Sequence, residues 1–218
     1  MCCLSEYERR IAGSIDYQRW LSGSTDTKKA MMSDILQFTN GFFGMSVGLS
    51  FSMPQGFESA LGLTDPGSGD IMVNGDLFGD SRQFLPLFIF LHELRHGIQK
   101  NKAELFPEET ALNSSHVIQF DGTCYRIDGE TVTTVRLDGA QEYFTELYLG
   151  SPAETDANRF AYDMLRRVCD DEALEEHFRL WSPTYKIISE DDMPGEFLKV
   201  CERIDVLAEE QKKKTAES

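Results

Sequence analysis

One stretch constrains this chain more than any other: eight residues without a charged or hydrogen-bonding side chain, Phe84-Leu-Pro-Leu-Phe-Ile-Phe-Leu91, run straight into His92-Glu-Leu-Arg-His96. A segment apolar at every position is buried on all sides, and its periodicity alone leaves a central strand or a core helix open. The continuation to Lys100 favours helix, with Pro86 tolerable because it falls in the first turn or two. Residues four apart on a helix lie one turn apart on one face, so His92 and His96 can offer both imidazoles to one metal ion. Zn2+ accepts nitrogen ligands in a tetrahedral arrangement, which two histidines on one turn begin to build. Glu93 points to a neighbouring face, placed to act as general base toward an activated water without ligating the metal.

Catalytic zinc needs a third protein ligand and one open position. The candidates are His116, His177 and the acidic side chains. Among them Glu154 stands out, because Ser151-Pro152 is a good helix start and Glu154 lies in the first turn of that helix. Asn158, four residues on, shares its face and can hold a ligand side chain in place. Asp156 lies on the other side of the helix and is the weaker choice.

These two segments carry a family resemblance. His92-Glu-Leu-Arg-His96 followed by Glu154, Ala157, Asn158, Phe160 and Ala161 resembles the gluzincin arrangement of HExxH plus a downstream ExxAN helix. It is most similar to the ImmA/IrrE-like metallopeptidases, over about residues 65–168. That family often has Gly as the fourth motif residue; here it is Arg95, a charge that must reach solvent or an acidic partner. The resemblance implies an α+β, zincin-like fold. In it a small mixed sheet packs against the HExxH helix and a second helix bears the third ligand, with helical extensions at both ends. It also implies Zn2+ as cofactor, His92, His96 and Glu154 as its ligands, and Glu93 as the catalytic base. Tyr148 and Tyr143, with His116 and Arg95 behind them, are conceivable stabilisers of the oxyanion that peptide hydrolysis forms. The strand at Ile71 and Val73 is the candidate to pair with an extended substrate.

Charge narrows the partners. Twenty-one basic against 37 acidic side chains leave a net charge of −16. Such a surface repels phosphate backbones and anionic headgroups, so a protein or peptide substrate is expected, and neither nucleic acid nor membrane. Five cysteines, Cys2, Cys3, Cys124, Cys169 and Cys201, form no CxxC pair. They suit a reducing compartment, and two plain thiols are expected at Cys2 and Cys3 rather than lipid anchors. With no signal-peptide pattern at the N-terminus, a soluble cytoplasmic protein is expected.

The rest of the chain reads as a single domain over 1–218. Tyr7, Ile11, Ile15 and Trp20 recur at helical spacing. A second helix is expected from a cap at Thr25 or Asp26 through Phe38. Gly41 to Met53 reads as a strand or a strand with a bend, Leu63 to Gly69 as loop, Asp70 to Asn74 as strand, and Asp80-Ser81 as a helix cap. Residues 117–139 alternate apolar and polar with Asp-Gly at 121, 128 and 138, a pattern for hairpins. Helical texture then returns, broken at Ser182-Pro183 and at Met193-Pro194-Gly195. Phe42, Phe43, Phe51 and Phe57 are expected in the core, and His177, next to Glu175 and Glu176, on the surface. The leading expectation is a zinc metalloendopeptidase. The alternatives are a catalytically inactive zincin-like protein working as an interaction module, and a helical interaction protein with a chance HExxH.

Overall fold

Two capping side chains, Asp16 and Ser24, divide the N-terminal helical stretch into three helices in the computed structural model, which describes residues 3–112, 115–129 and 131–216. Helix α1 (Cys3–Ser14) buries Tyr7 and Ile11, and α2 (Tyr17–Ser22) buries Trp20. Ser24 accepts the Thr27 N–H at 3.2 Å and so takes the capping place expected of Thr25 or Asp26. Helix α3 (Thr25–Phe43) runs past Phe38, because Thr39 and Phe43 continue the buried stripe of Ile35 and Leu36. Gly44, left-handed at φ 63°, ends it. The strand expected over 41–53 therefore shrinks to β1 (Leu49–Ser50), since packing of that stripe outweighs the weak helix propensity of Gly41.

A first sheet has the order β1-β3-β2, with β2 at Gly62–Thr64 and β3 at Ile71–Val73. Strand β1 pairs parallel to β3, and β2 pairs antiparallel. Helix α4 (Leu85–Asn101) lies against β2 and β3 and is buried almost all round, as its apolar run demands. Its close approach is set at Gly97, where a Cβ would meet the Gly69 carbonyl at 3.3 Å. Asp80 turns its carboxylate to the Arg82 N–H at 2.7 Å and does not cap α4.

The chain gathers into two compact units, 1–105 with 156–180 and 106–155 with 181–218. The reason is the excursion after residue 105, which builds a sheet and core of its own before the chain returns. In the second unit α5 (Glu108–Leu112) precedes a meander of β4 (His116–Ile118), β5 (Thr123–Asp128) and β6 (Thr131–Arg136). Gly122 and Gly129, at φ 82° and 59°, serve the first two Asp-Gly sites. The third, Asp138-Gly139, closes no hairpin and leads into α6 (Gln141–Gly150). The core of this unit joins Cys124, Val135, Phe144 and Leu147 to Phe197 and Ile204 of α9 (Met193–Ala216). Pro194 thus stands in a first helical turn, where it breaks nothing.

The return to the first unit is made by α7 (Pro152–Leu165), which belongs there from Asp156 onward, and by α8 (Glu172–Leu180). The described residues thus form nine α-helices and two three-stranded sheets, an α+β fold. None of those helices is long and apolar enough to cross a membrane. Cys124, Cys169 and Cys201 are buried free thiols and Cys3 an exposed one; Cys2 lies outside the described residues.

Candidate metal centre

One turn of α4 sets the Nε2 atoms of His92 and His96 3.0 Å apart, with the two rings nearly perpendicular at 83°. Glu154, in the first turn of α7, completes a group whose ligand atoms all lie within 4.8 Å of one another, each side chain half-buried. The local sequence favours this use of Glu154. Ser151-x-x-Glu154 has the form of a capping box, in which the glutamate turns back to the serine N–H. Here the Ser151 N–H instead donates to the Tyr148 carbonyl at 3.1 Å, so Glu154 is not needed there.

The donor set of two imidazole nitrogens and a carboxylate oxygen suits zinc. At zinc–nitrogen lengths of about 2.0–2.1 Å, two tetrahedral ligands stand about 3.3 Å apart. The imidazole nitrogens are within about 0.3 Å of that separation.

Glu93 faces the sheet. Its Oε2 lies 2.8 Å from the Thr64 hydroxyl of β2, which is also 3.0 Å from the Glu93 carbonyl. Gly62, two residues earlier on β2, leaves the room: a Cβ there would fall 2.7 Å from Glu93 Oε1. The buried carboxylate is thus pressed between α4 and an edge strand.

His96 is oriented from behind. Its Nδ1 is 2.8 Å from Gln99 Oε1, and Gln99 Nε2 donates to Asp156 Oδ2 at 2.8 Å. Asp156 also takes a two-pronged grip from Arg95, Nε to Oδ2 at 2.7 Å and Nη2 to Oδ1 at 2.9 Å. The Arg95 guanidinium lies 4.9 Å over the Phe160 ring and reaches Glu8 of α1 at 3.2 Å. Burial works against the Arg95 charge, but Asp156 and then Glu8 outweigh it and hold its pKa above the ordinary value.

His177 stands on the same side of the helix as His92. Its ring packs edge-on against Phe88, 4.7 Å between centroids, and against Phe84, one and two turns before His92. It is 4% exposed, contrary to the expected surface position. Burial first, then the charges of Arg82 and His92, push its pKa down to about 4, so it is neutral at pH 7.

The other sequence candidates fall as follows. Asn158 is buried one turn after Glu154. Ile71 and Val73 lie in the central strand and are fully buried; Ile71 is paired on both sides, with Leu49 of β1 and Thr64 of β2, and Val73 is paired with Gly62 of β2, so this strand is not the edge expected for a substrate. The Tyr143 hydroxyl donates to Glu196 at 2.8 Å, and the Tyr148 ring packs on Phe120, 4.3 Å between centroids. His116 is buried in the second unit with Nε2 on Asp205 at 2.9 Å. Sequence reasoning passed over Thr64, Gly62 and Gln99. The available signals were the spacing of Gln99 one turn from His96, and opposite charges at Arg95 and Asp156 on the two motif helices. Compared with known proteins, the chain matches no family model, no curated protein and no solved structure.

Proposed function

We propose that this chain is a zinc-dependent metallopeptidase of zincin type that hydrolyses a peptide bond in a protein or peptide substrate. The observation that carries the reading is the convergence of His92, His96 and Glu154 within 4.8 Å, with Glu93 on the same helix. A zinc ion held by those three residues would supply Lewis acidity and lower the pKa of a water molecule towards neutrality. The Glu93 carboxylate then takes a proton from the attacking water and passes it to the departing amine. Thr64 holds that carboxylate at Oε2, and the apolar flank of α4 keeps the surroundings dry, which strengthens each charge interaction.

The substrate edge in this reading is β2. Leu63 faces Met72 between the Asn74-to-Leu61 and Asp65-to-Asp70 bonds, so residues 61, 63 and 65 bond inward. Gly62 and Thr64 therefore turn their backbone groups outward, where an extended peptide can add as a further strand beside Glu93.

The deciding experiment is zinc content and peptide turnover of the purified chain and of Glu93→Gln. Wild type is expected to hold one zinc and cleave, while the variant keeps the zinc and loses about 10²–10⁴-fold in turnover. Undiminished cleavage by the variant, or a wild type that takes up no zinc, overturns the reading.

A further inference from the structure

We propose that Gln99 and Asp156, locked by Arg95, position His96 as a metal ligand by fixing its proton on Nδ1. The inference deepens the metallopeptidase reading and rests on it for the identity of the ion. The relay itself follows from donor and acceptor chemistry.

Asp156 is a carboxylate that receives both prongs of the Arg95 guanidinium, so it acts as an acceptor only. Whatever faces Asp156 Oδ2 at 2.8 Å from Gln99 must then be the amide nitrogen. That choice turns the other end of the amide, the carbonyl oxygen, toward His96 Nδ1 at 2.8 Å. A carbonyl oxygen accepts, so Nδ1 carries the hydrogen. In the neutral ring the lone pair is therefore left on Nε2, the nitrogen that faces His92. Each link removes one rotational choice from the next, and the first link is anchored by a bidentate ion pair from the buried Arg95 to the half-buried Asp156. Residue 95, where the resembled family often has glycine, is thus the source of the order. Gln99 and Asp156 touch no reacting atom and are positioning residues. Loss of such support typically weakens metal affinity about 10–100-fold.

The test uses the full chain and Zn2+ alone. Side-chain 15N–1H NMR of the metal-free protein, above the histidine titration range, reads which nitrogen of His96 bears hydrogen. Chelator competition reads zinc affinity, and thermal unfolding of the metal-free form reads packing. Wild-type His96 is expected as the Nδ1–H form. Gln99→Met, similar in size but without the amide, is expected to move His96 toward Nε2–H. The same change should weaken zinc about 10–100-fold with little change in unfolding. A packing role alone would be served by methionine and would leave the tautomer of His96 where it is in the wild type. Wild-type His96 in the Nε2–H form overturns the proposal, and so does a Gln99→Met protein equal to wild type in tautomer and affinity. The wild-type tautomer needs no variant, so the test stands even if a substitution unfolds the chain. If no form binds zinc, the metallopeptidase reading falls while the tautomer still judges the relay.

Discussion

Gly62→Ala should displace Glu93, the proposed general base, while sparing His92 and His96, two of the proposed metal ligands. A Cβ at this position would lie 2.6 Å from Ile89 Cγ2, 2.7 Å from Glu93 Oε1 and 2.8 Å from Glu93 Cγ. Ordinary contact begins at 3.4 Å, so the tightest neighbour is about 0.8 Å too close for a well-packed interior. Neither neighbour yields easily. Ile89 is β-branched and stiff at χ1, and Glu93 is buried with Oε2 on Thr64. Overpacking of this kind costs about 1–3 kcal/mol. At roughly 4 °C per kcal/mol for a unit of this size, Tm should fall by about 4–12 °C. A base displaced by most of an ångström should lose on the order of 10²-fold in kcat. His92 and His96 take no part in the clash, so zinc stoichiometry should stay at the wild-type value. Scanning calorimetry, metal analysis and peptide turnover on one preparation read all three quantities. Gly79→Ala is the control, since a Cβ there meets nothing within 4 Å. A Gly62→Ala protein that melts and turns over like wild type would refute the close approach of β2 to Glu93 and the role assigned to it.

Two further predictions concern the second unit. The buried Glu146 carboxylate accepts from the Thr184 hydroxyl and from the N–H groups of Lys186, Ile187 and Ile188, at 2.5–2.9 Å. Glu146→Gln turns an NH2 group toward donors and should cost about 3 kcal/mol or more in urea unfolding at neutral pH. Burial alone would raise the Glu146 pKa, but the four donors outweigh it and hold it below the ordinary 4.5. A depressed folded-state pKa stabilises above the unfolded value, so the gap between wild type and Glu146→Gln should be full above pH 4.5 and narrow on acidifying below it. A gap that widens in acid would contradict this sign. Asp205 accepts from His116 Nε2 at 2.9 Å and from Arg126 Nε at 2.5 Å, joining the meander to α9. Asp205→Ala strands a donor of the buried His116 and should cost about 1–2 kcal/mol, kept at the low end because Asp205 itself is half-exposed. Unchanged urea unfolding would show that the pair holds nothing.

The parts of this molecule legible in the sequence are those set by a local period. The four-residue spacing of His92 and His96 and the Ser-Pro start before Glu154 mark the three residues that converge within 4.8 Å, without knowledge of the rest of the fold. The apolar run of α4 and the first two Asp-Gly turns are legible in the same local way. What stayed hidden depends on partners distant in sequence. Strand β2 is three residues beside a segment full of turn formers, and only its pairing with β3 makes it a strand. That same pairing makes β3 central, so the exposed edge moves from Ile71 and Val73 to Gly62 and Thr64. His177 looked exposed because its chain neighbours are acidic. On a helix, however, the residue that shares its face is Leu174, three positions back and buried with it. Arg95 announced only that it needs an acidic partner, and the partner that grips it is 61 residues away. The motif letters therefore name the proposed ligands, while the residues between and after them, Arg95, Gln99 and Asp156, set how His96 is aimed. A site with the same motif and a different residue 95 would have to orient its second histidine by other means.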